Sequence, residues 1–159
     1  MLQKCDDSSR AKDFQLSDSE LKQKLAAILA ADMAGYSRLM SQDERGTVAA
    51  LDAARAIFRS EIEGNQGRVI DMAGDSVLAV FEAAAGAVAP TVEIQRQVNA
   101  QAESAAEDHH MRFRIGVHLG DVFEKADGTI YGGGVNIAAR LEGLAEPGGI
   151  TVAPMPMTA

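Results

Sequence analysis

Tryptophan is absent from this chain of 159 residues, aromatics make up only 4% of it, and there is a single cysteine. That cysteine, Cys5, lies in a polar N-terminal stretch, so it forms no internal disulfide and lacks the surroundings of a catalytic thiol. No apolar run approaches the ~20 residues that cross a bilayer. Met1 to Lys24 is charged and has no apolar centre like that of a signal peptide, which reads as a cytoplasmic protein. Basic residues are in deficit: 15 Lys and Arg stand against 23 Asp and Glu, giving a net charge of -8 and a pI near 4.8. That balance argues against a nucleic-acid polymer, whose binding needs a basic surface. A mononucleotide stays open, because metal ions can sit between a triphosphate and an acidic protein.

What the chain does have is alanine and aliphatic residues in short regular runs. Apolar residues are 47% and charged residues 24%, the balance of one globular domain with a real core. Residues 1–22 read as a tail or linker, in which Ser17-Asp18-Ser19-Glu20 suits a helix cap; 23–153 form the domain, and 154–159 are a tail. Leu25 to Ala31 is a continuous apolar run of strand length, broken at Gly35. Val48, Leu51, Ala54, Ile57, Phe58 and Ile62 recur at helical spacing between about Asp43 and Glu63. Arg68 to Phe81 reads as a hairpin turning at Ala73-Gly74-Asp75-Ser76. A second helix follows over about 83–102, then a strand over 111–123, a turn at Asp127-Gly128, a helix over 135–145 and a short strand at 150–152. The order predicts an α+β fold, a ferredoxin-like βαββαβ core with an extra C-terminal hairpin, helix and strand. Strict alternation along Arg68–Met72 would turn Ile70 and Met72 one way and Val69 and Asp71 the other.

In that topology the first and third strands are antiparallel neighbours, so Asp32 and Asp75 should meet at one end of the sheet. Each has an ordinary role when taken alone: Asp32 as a helix cap, Asp75 as a turn residue. Together, two unpaired carboxylates repel, and a divalent metal relieves them. Asn136 and Arg140 lie at i and i+4, one face of a helix, with Ile137, Leu141 and Leu144 expected as its apolar stripe. An isolated arginine there is an ordinary solvated residue. Gly132-Gly133-Gly134 ahead of the helix permits close backbone approach. Two carboxylates, an amide and a guanidinium point to phosphoryl chemistry on a nucleotide.

Ala30-Ala31-Asp32-Met33-Ala34-Gly35-Tyr36-Ser37, Ala73-Gly74-Asp75-Ser76-Val77-Leu78-Ala79-Val80-Phe81 and Tyr131-Gly132-Gly133-Gly134-Val135-Asn136-Ile137-Ala138-Ala139-Arg140-Leu141 resemble the metal-binding and catalytic motifs of class III adenylyl/guanylyl cyclase domains. Arg114-Ile115-Gly116-Val117-His118-Leu119-Gly120 and Ala145-Glu146-Pro147-Gly148-Gly149-Ile150 resemble further segments of that family, so the likeness runs from about Leu25 to Val152. The resemblance implies that Asp32, Asp75 and the backbone carbonyl of Met33 bind two Mg2+ or Mn2+ ions. It implies that Asn136 orients the ribose and that Arg140 meets charge on the α-phosphate. It also implies a homodimer in which one site takes its metal aspartates and its Asn/Arg pair from different subunits. The substrate would be a nucleoside triphosphate, and the products a 3′,5′-cyclic nucleotide and pyrophosphate.

The likeness breaks at the base-reading positions. The family's adenylyl cyclases place lysine four residues before the second metal aspartate, where this chain has Asp71, and often aspartate seven residues before the asparagine, where it has Thr129. Some bacterial adenylyl cyclases use threonine there. An ionised Asp71 cannot donate to adenine N1 but could accept from the N1–H and 2-amino group of guanine. Family prevalence favours ATP and site chemistry favours GTP, with ATP ahead. The family also continues with further strands and a triphosphate-contacting lysine, which Pro154 to Ala159 does not resemble, so the domain reads as C-terminally truncated. Two rivals stay open: a non-catalytic cyclase-like dimerisation or nucleotide-sensing module, and, against the acidic charge, a two-metal nuclease or polymerase palm.

Overall fold

The computed structural model describes residues 21–153; Cys5, the Ser17–Glu20 cap and the tail after 153 lie outside them. The centre is β1 (Lys22–Ala34), longer at both ends than its apolar run. It pairs antiparallel with β3 (Ser76–Phe81) on one side and with β4 (Arg112–Glu124) on the other. β2 (Gly67–Asp71) extends the β3 edge, β5 (Ile130–Tyr131) pairs with β4, and β6 (Ile150–Val152) lies parallel to β4. The spatial order β2-β3-β1-β4 is that of the expected ferredoxin-like core.

A strand covered on both faces needs apolar side chains on both, which is why Leu25–Ala31 shows no alternation. Ala27, Leu29, Ala31 and Met33 face a core made with α1 (Tyr36–Gln42), α2 (Glu44–Gly64) and α3 (Ala84–Ala102). Phe58 of α2 and Phe113 of β4 meet there with ring centroids 5.1 Å apart. Gln95 of α3, buried, donates to the carbonyls of Phe113 and Gly149 at 2.9 and 2.8 Å and locks this layer to the loop before β6. Ala26, Ile28 and Ala30 face the other way, toward α4 (Gly133–Leu144).

The helix expected over about Asp43–Glu63 is α2, a short helix that the sequence did not show precedes it, and two local expectations are corrected. Gly35 takes a left-handed φ of 69°, α1 follows at once, and Asp43 ends it while its carboxylate accepts from Gly46 N–H at 3.0 Å to cap α2. Ile70 and Met72 do not share a face. A bulge between Val69 and Asp71 leaves Val69 and Met72 with the α2 side and Ile70 with the α4 side. The stripe Ile137–Leu141–Leu144 is not the buried face of α4. Gly134 and Ala138 are buried, while Ile137 and Leu144 are 39% and 75% exposed.

The last point has a steric cause. A Cβ added at Gly116 of β4 would lie 2.3 Å from the Glu142 nitrogen and 2.4 Å from the Ala138 carbonyl oxygen. The α4 backbone therefore rests on the strand itself, and only small residues fit beneath it.

Candidate active site

Asp32 and Asp75 come together as the topology requires. Asp32 stands opposite Ser76 in the β1–β3 register, and the Met33 N–H donates to the Asp75 carbonyl at 3.2 Å. Asp75 follows Gly74, whose φ of 58° makes the turn, and Ser76 closes it by donating N–H and hydroxyl to the Ala73 carbonyl. Asp32 shares the parity of Ala30 and Ile28, so it belongs to the α4 face of the sheet. Met33 points into the opposite core and is buried, which leaves only its backbone for the site.

Two residues join this end that sequence reasoning did not single out. Arg114 stands opposite Asp32 on β4 and donates from Nε and Nη2 to its two carboxylate oxygens at 3.1 and 3.2 Å. Glu142 reaches the same place from α4, by way of the close approach at Gly116 two residues along the strand from Arg114. Burial first, then the Asp32 carboxylate beside it, push the Glu142 carboxyl up to about 8; Asp75 adds to the shift and Arg114 opposes it. The alternation Arg112–Phe113–Arg114–Ile115 was the visible signal for Arg114. Glu142 gave none, because its burial depends on the glycine underneath.

Among the described residues no group of three or more His, Cys, Asp and Glu side chains is arranged to hold a metal ion. A hard divalent cation needs less: Mg2+ commonly takes one or two carboxylates and completes its shell with phosphate and water oxygens. Asp32 and Asp75 supply that number. Both offer the hard carboxylate oxygens that such an ion takes, at one end of the sheet, so the donor set fits the ion. Beside the end of β1 opens a cavity of about 470 Å³ whose lining includes Gly35, Arg38, Glu107, His110 and Arg112, two arginines with one glutamate.

Asn136 and Arg140 share the outer face of α4, and both are exposed. Arg140 and Glu142 are two positions apart, about 200° around a helix, so Glu142 turns to its own Asp32 while Arg140 turns away. The structure thus joins Asp32 with Asp75 and Asn136 with Arg140, but does not bring the two pairs together within one chain. Ile137 and Leu144 are exposed on α4, and Phe123 and Tyr131 on the β4–β5 arm.

Asp71 pairs with Leu78, an α4-side residue, so the bulge and not alternation sets its face. Thr129 lies in the β4–β5 turn, where its N–H donates to Asp127 Oδ1 at 2.9 Å. The sheet curls enough for Arg68 of β2 to reach this turn. It donates to the Gly128 carbonyl at 3.0 Å and to Glu124 at 2.6 Å, and Lys24 also meets Glu124 at 2.6 Å. Lys24 and Arg68 hold the Glu124 carboxyl below the usual carboxylate range. Asp71 thus lies on the α4 side of the sheet, and Thr129 in the turn that Arg68 of the same strand reaches. Among the described residues no helix is long and apolar enough to cross a membrane.

A family model described as the adenylate and guanylate cyclase catalytic domain matches residues 20–158. The chain is 40% identical over 138 residues to the Rhizobium meliloti (strain 1021) protein named "Putative adenylate cyclase 3", covering 86% of this chain but only 23% of that protein. A crystal structure of an adenylate/guanylate cyclase/hydrolase from Silicibacter pomeroyi superposes with a TM-score of 0.75 at 38% identity, over 83% of this chain and 77% of that one. The adenylyl cyclase CyaB from P. aeruginosa, at 20% identity, shares the fold with a TM-score of 0.73 over 84% of this chain and 79% of that one. With its sheet order, its paired aspartates and a match over most of its length, the chain belongs to the adenylate and guanylate cyclase catalytic-domain family.

Proposed function

We propose that this domain is a cytoplasmic nucleotidyl cyclase that turns a nucleoside triphosphate, ATP ahead of GTP, into a 3′,5′-cyclic nucleotide for signalling. Two copies would share each site. The observation that carries this reading is the division within one chain: Asp32 and Asp75 at the sheet end, Asn136 and Arg140 exposed and turned away. A complete set then requires a second copy, and the exposed Ile137 and Leu144 beside that face suit an interface.

In the reaction the ribose 3′ oxygen attacks the α-phosphorus. The bond from phosphorus to the β-phosphate's bridging oxygen breaks, pyrophosphate leaves, and the 3′ hydroxyl proton passes to solvent. The protein's share is positioning and charge. Asn136 would hold the ribose, and Arg140 would place its guanidinium against charge growing on the α-phosphate. Asp32, Asp75 and the Met33 carbonyl would hold two Mg2+ or Mn2+ ions, which supply Lewis-acid polarisation of phosphate oxygens. Arg114 neutralises Asp32 in the metal-free chain, and Asp71 and Thr129 would border the place of the base.

Asp71, a carboxylate where a donor would suit adenine, favours the second reading, a non-catalytic nucleotide-sensing module. Chromatographic product analysis with Mn-ATP and Mn-GTP separates the two. Cyclic nucleotide lost on Asp75→Ala supports the enzyme. Nucleotide binding without cyclic product would establish the module.

A further inference from the structure

Asp75 sits on an exposed turn, an unpromising place for a group that must hold an ion. Ala73 and Gly74 are exposed, and Gly74 has open space around it. The Met33 N–H secures the turn from the β1 side. From the other side α2 reaches it: Arg55 Nη2 donates to the Gly74 carbonyl, the residue immediately before Asp75. Asp52, one turn back on α2, meets Arg55 Nη1 at 3.4 Å. Arg59, one turn on, extends toward Met72 on the same hairpin, with Nη2 4.0 Å from its sulfur. The Arg55 side chain is 30% exposed and its Nε is buried, so the guanidinium is held against the protein while it reaches the turn.

We propose that Arg55 is a positioning residue for the second metal aspartate. It fixes the Gly74 carbonyl, and through one peptide unit the Asp75 backbone, at the distance from Asp32 that a shared ion requires. The inference rests on the reading of Asp32 and Asp75 as metal ligands. Without the guanidinium the turn keeps its hydrogen bonds to Met33 and Ser76 but gains freedom around Gly74, and ion binding must then order it. The cost falls on metal affinity more than on the step at phosphorus.

The test is Mn2+ binding, followed by electron paramagnetic resonance of the free ion, with thermal unfolding alongside. Arg55→Met keeps the aliphatic stem and removes the donors. It should weaken Mn2+ about tenfold, the worth of one hydrogen bond to a charged group. Its Tm should stay near that of the unchanged chain, and Arg55→Lys should recover part of the affinity. With substrate present, half-saturation should move to higher metal concentration while kcat at saturating metal is nearly kept. Asp75→Ala, run in parallel, should lose tight binding. Unchanged affinity in Arg55→Met beside a loss in Asp75→Ala overturns the positioning role and leaves the metal reading standing. Unchanged affinity in Asp75→Ala overturns both. Should Arg55→Met not fold, Arg55→Gln, too short to reach Gly74, carries the same expectation and the same refutation.

Discussion

Arg114 holds both carboxylate oxygens of Asp32, through Nε at 3.1 Å and Nη2 at 3.2 Å, across neighbouring strands 82 positions apart in sequence. A bidentate guanidinium and a metal ion seek the same oxygens. Both side chains are about one-third exposed, so the pair is worth roughly 1 kcal/mol after screening. Arg114→Ala should lower the Tm of metal-free protein by roughly 2–5 °C. Mg2+ should then raise the Tm of the variant more than that of the unchanged chain. Equal Mg2+ responses would show that the pair and the ion do not compete.

Glu142 makes a pH prediction. Burial, then the neighbouring Asp32 carboxylate, push its carboxyl up to about 8 in the folded chain from an ordinary 4.5. A raised carboxyl contributes stability that is fully present below 4.5 and is lost as pH rises toward 8. Metal-free protein should therefore lose Tm between pH 5 and 8.5, and Glu142→Gln should flatten that slope. A parallel slope in the variant would assign the pH dependence to other groups.

Arg140→Ala should reduce kcat by roughly 10²-fold or more with little change in KM, as expected for a cation that meets charge only in the transition state. Steady-state kinetics on the variant decide it. A normal kcat would make the arginine structural.

Sharing of sites between copies has its own arithmetic. In a dimer of Asp32→Ala with Arg140→Ala, one site carries both defects and the other neither. Equal mixing should restore about a quarter of the activity of the unsubstituted protein, since half the dimers are mixed and each has one good site of two. Mixtures that exchange subunits and stay inactive would exclude shared sites.

Asp71→Lys should shift the ATP:GTP ratio of turnover toward ATP, more so with Thr129→Asp beside it, because matched or unpaired hydrogen bonds in a closed site discriminate strongly. A ratio that already favours ATP and does not move would remove Asp71 from base reading.

The strand order and the meeting of Asp32 with Asp75 were legible because both follow from the βαββαβ order, and topology fixes neighbours before any side chain is placed. The outer face of α4 was misjudged for a physical reason. Helical periodicity assumes that large apolar residues are the buried ones, but a helix lying on Gly116 has room only for Gly134 and Ala138 and turns Ile137 and Leu144 outward. The faces of β2 were misjudged because a bulge adds a residue without a local signature. Arg114 and Glu142 went unrecognised because their partner is Asp32, remote in sequence, and only the folded chain brings the three together.

The unbroken thirteen-residue register of β1 against β4 works like a reading frame for side chains. Asp32 reaches the α4 side only because an odd–even count, kept from Leu25 onward, comes out even at 32. A single-residue deletion between Leu25 and Ala31, if the strand kept its pairing at Lys22, would send the carboxylate into the core beneath α1 and offer a thioether to the ion instead. Insertions in the β4–β5 turn cross no such count. Length variation in this domain should therefore be tolerated around Asp127 and rejected within β1.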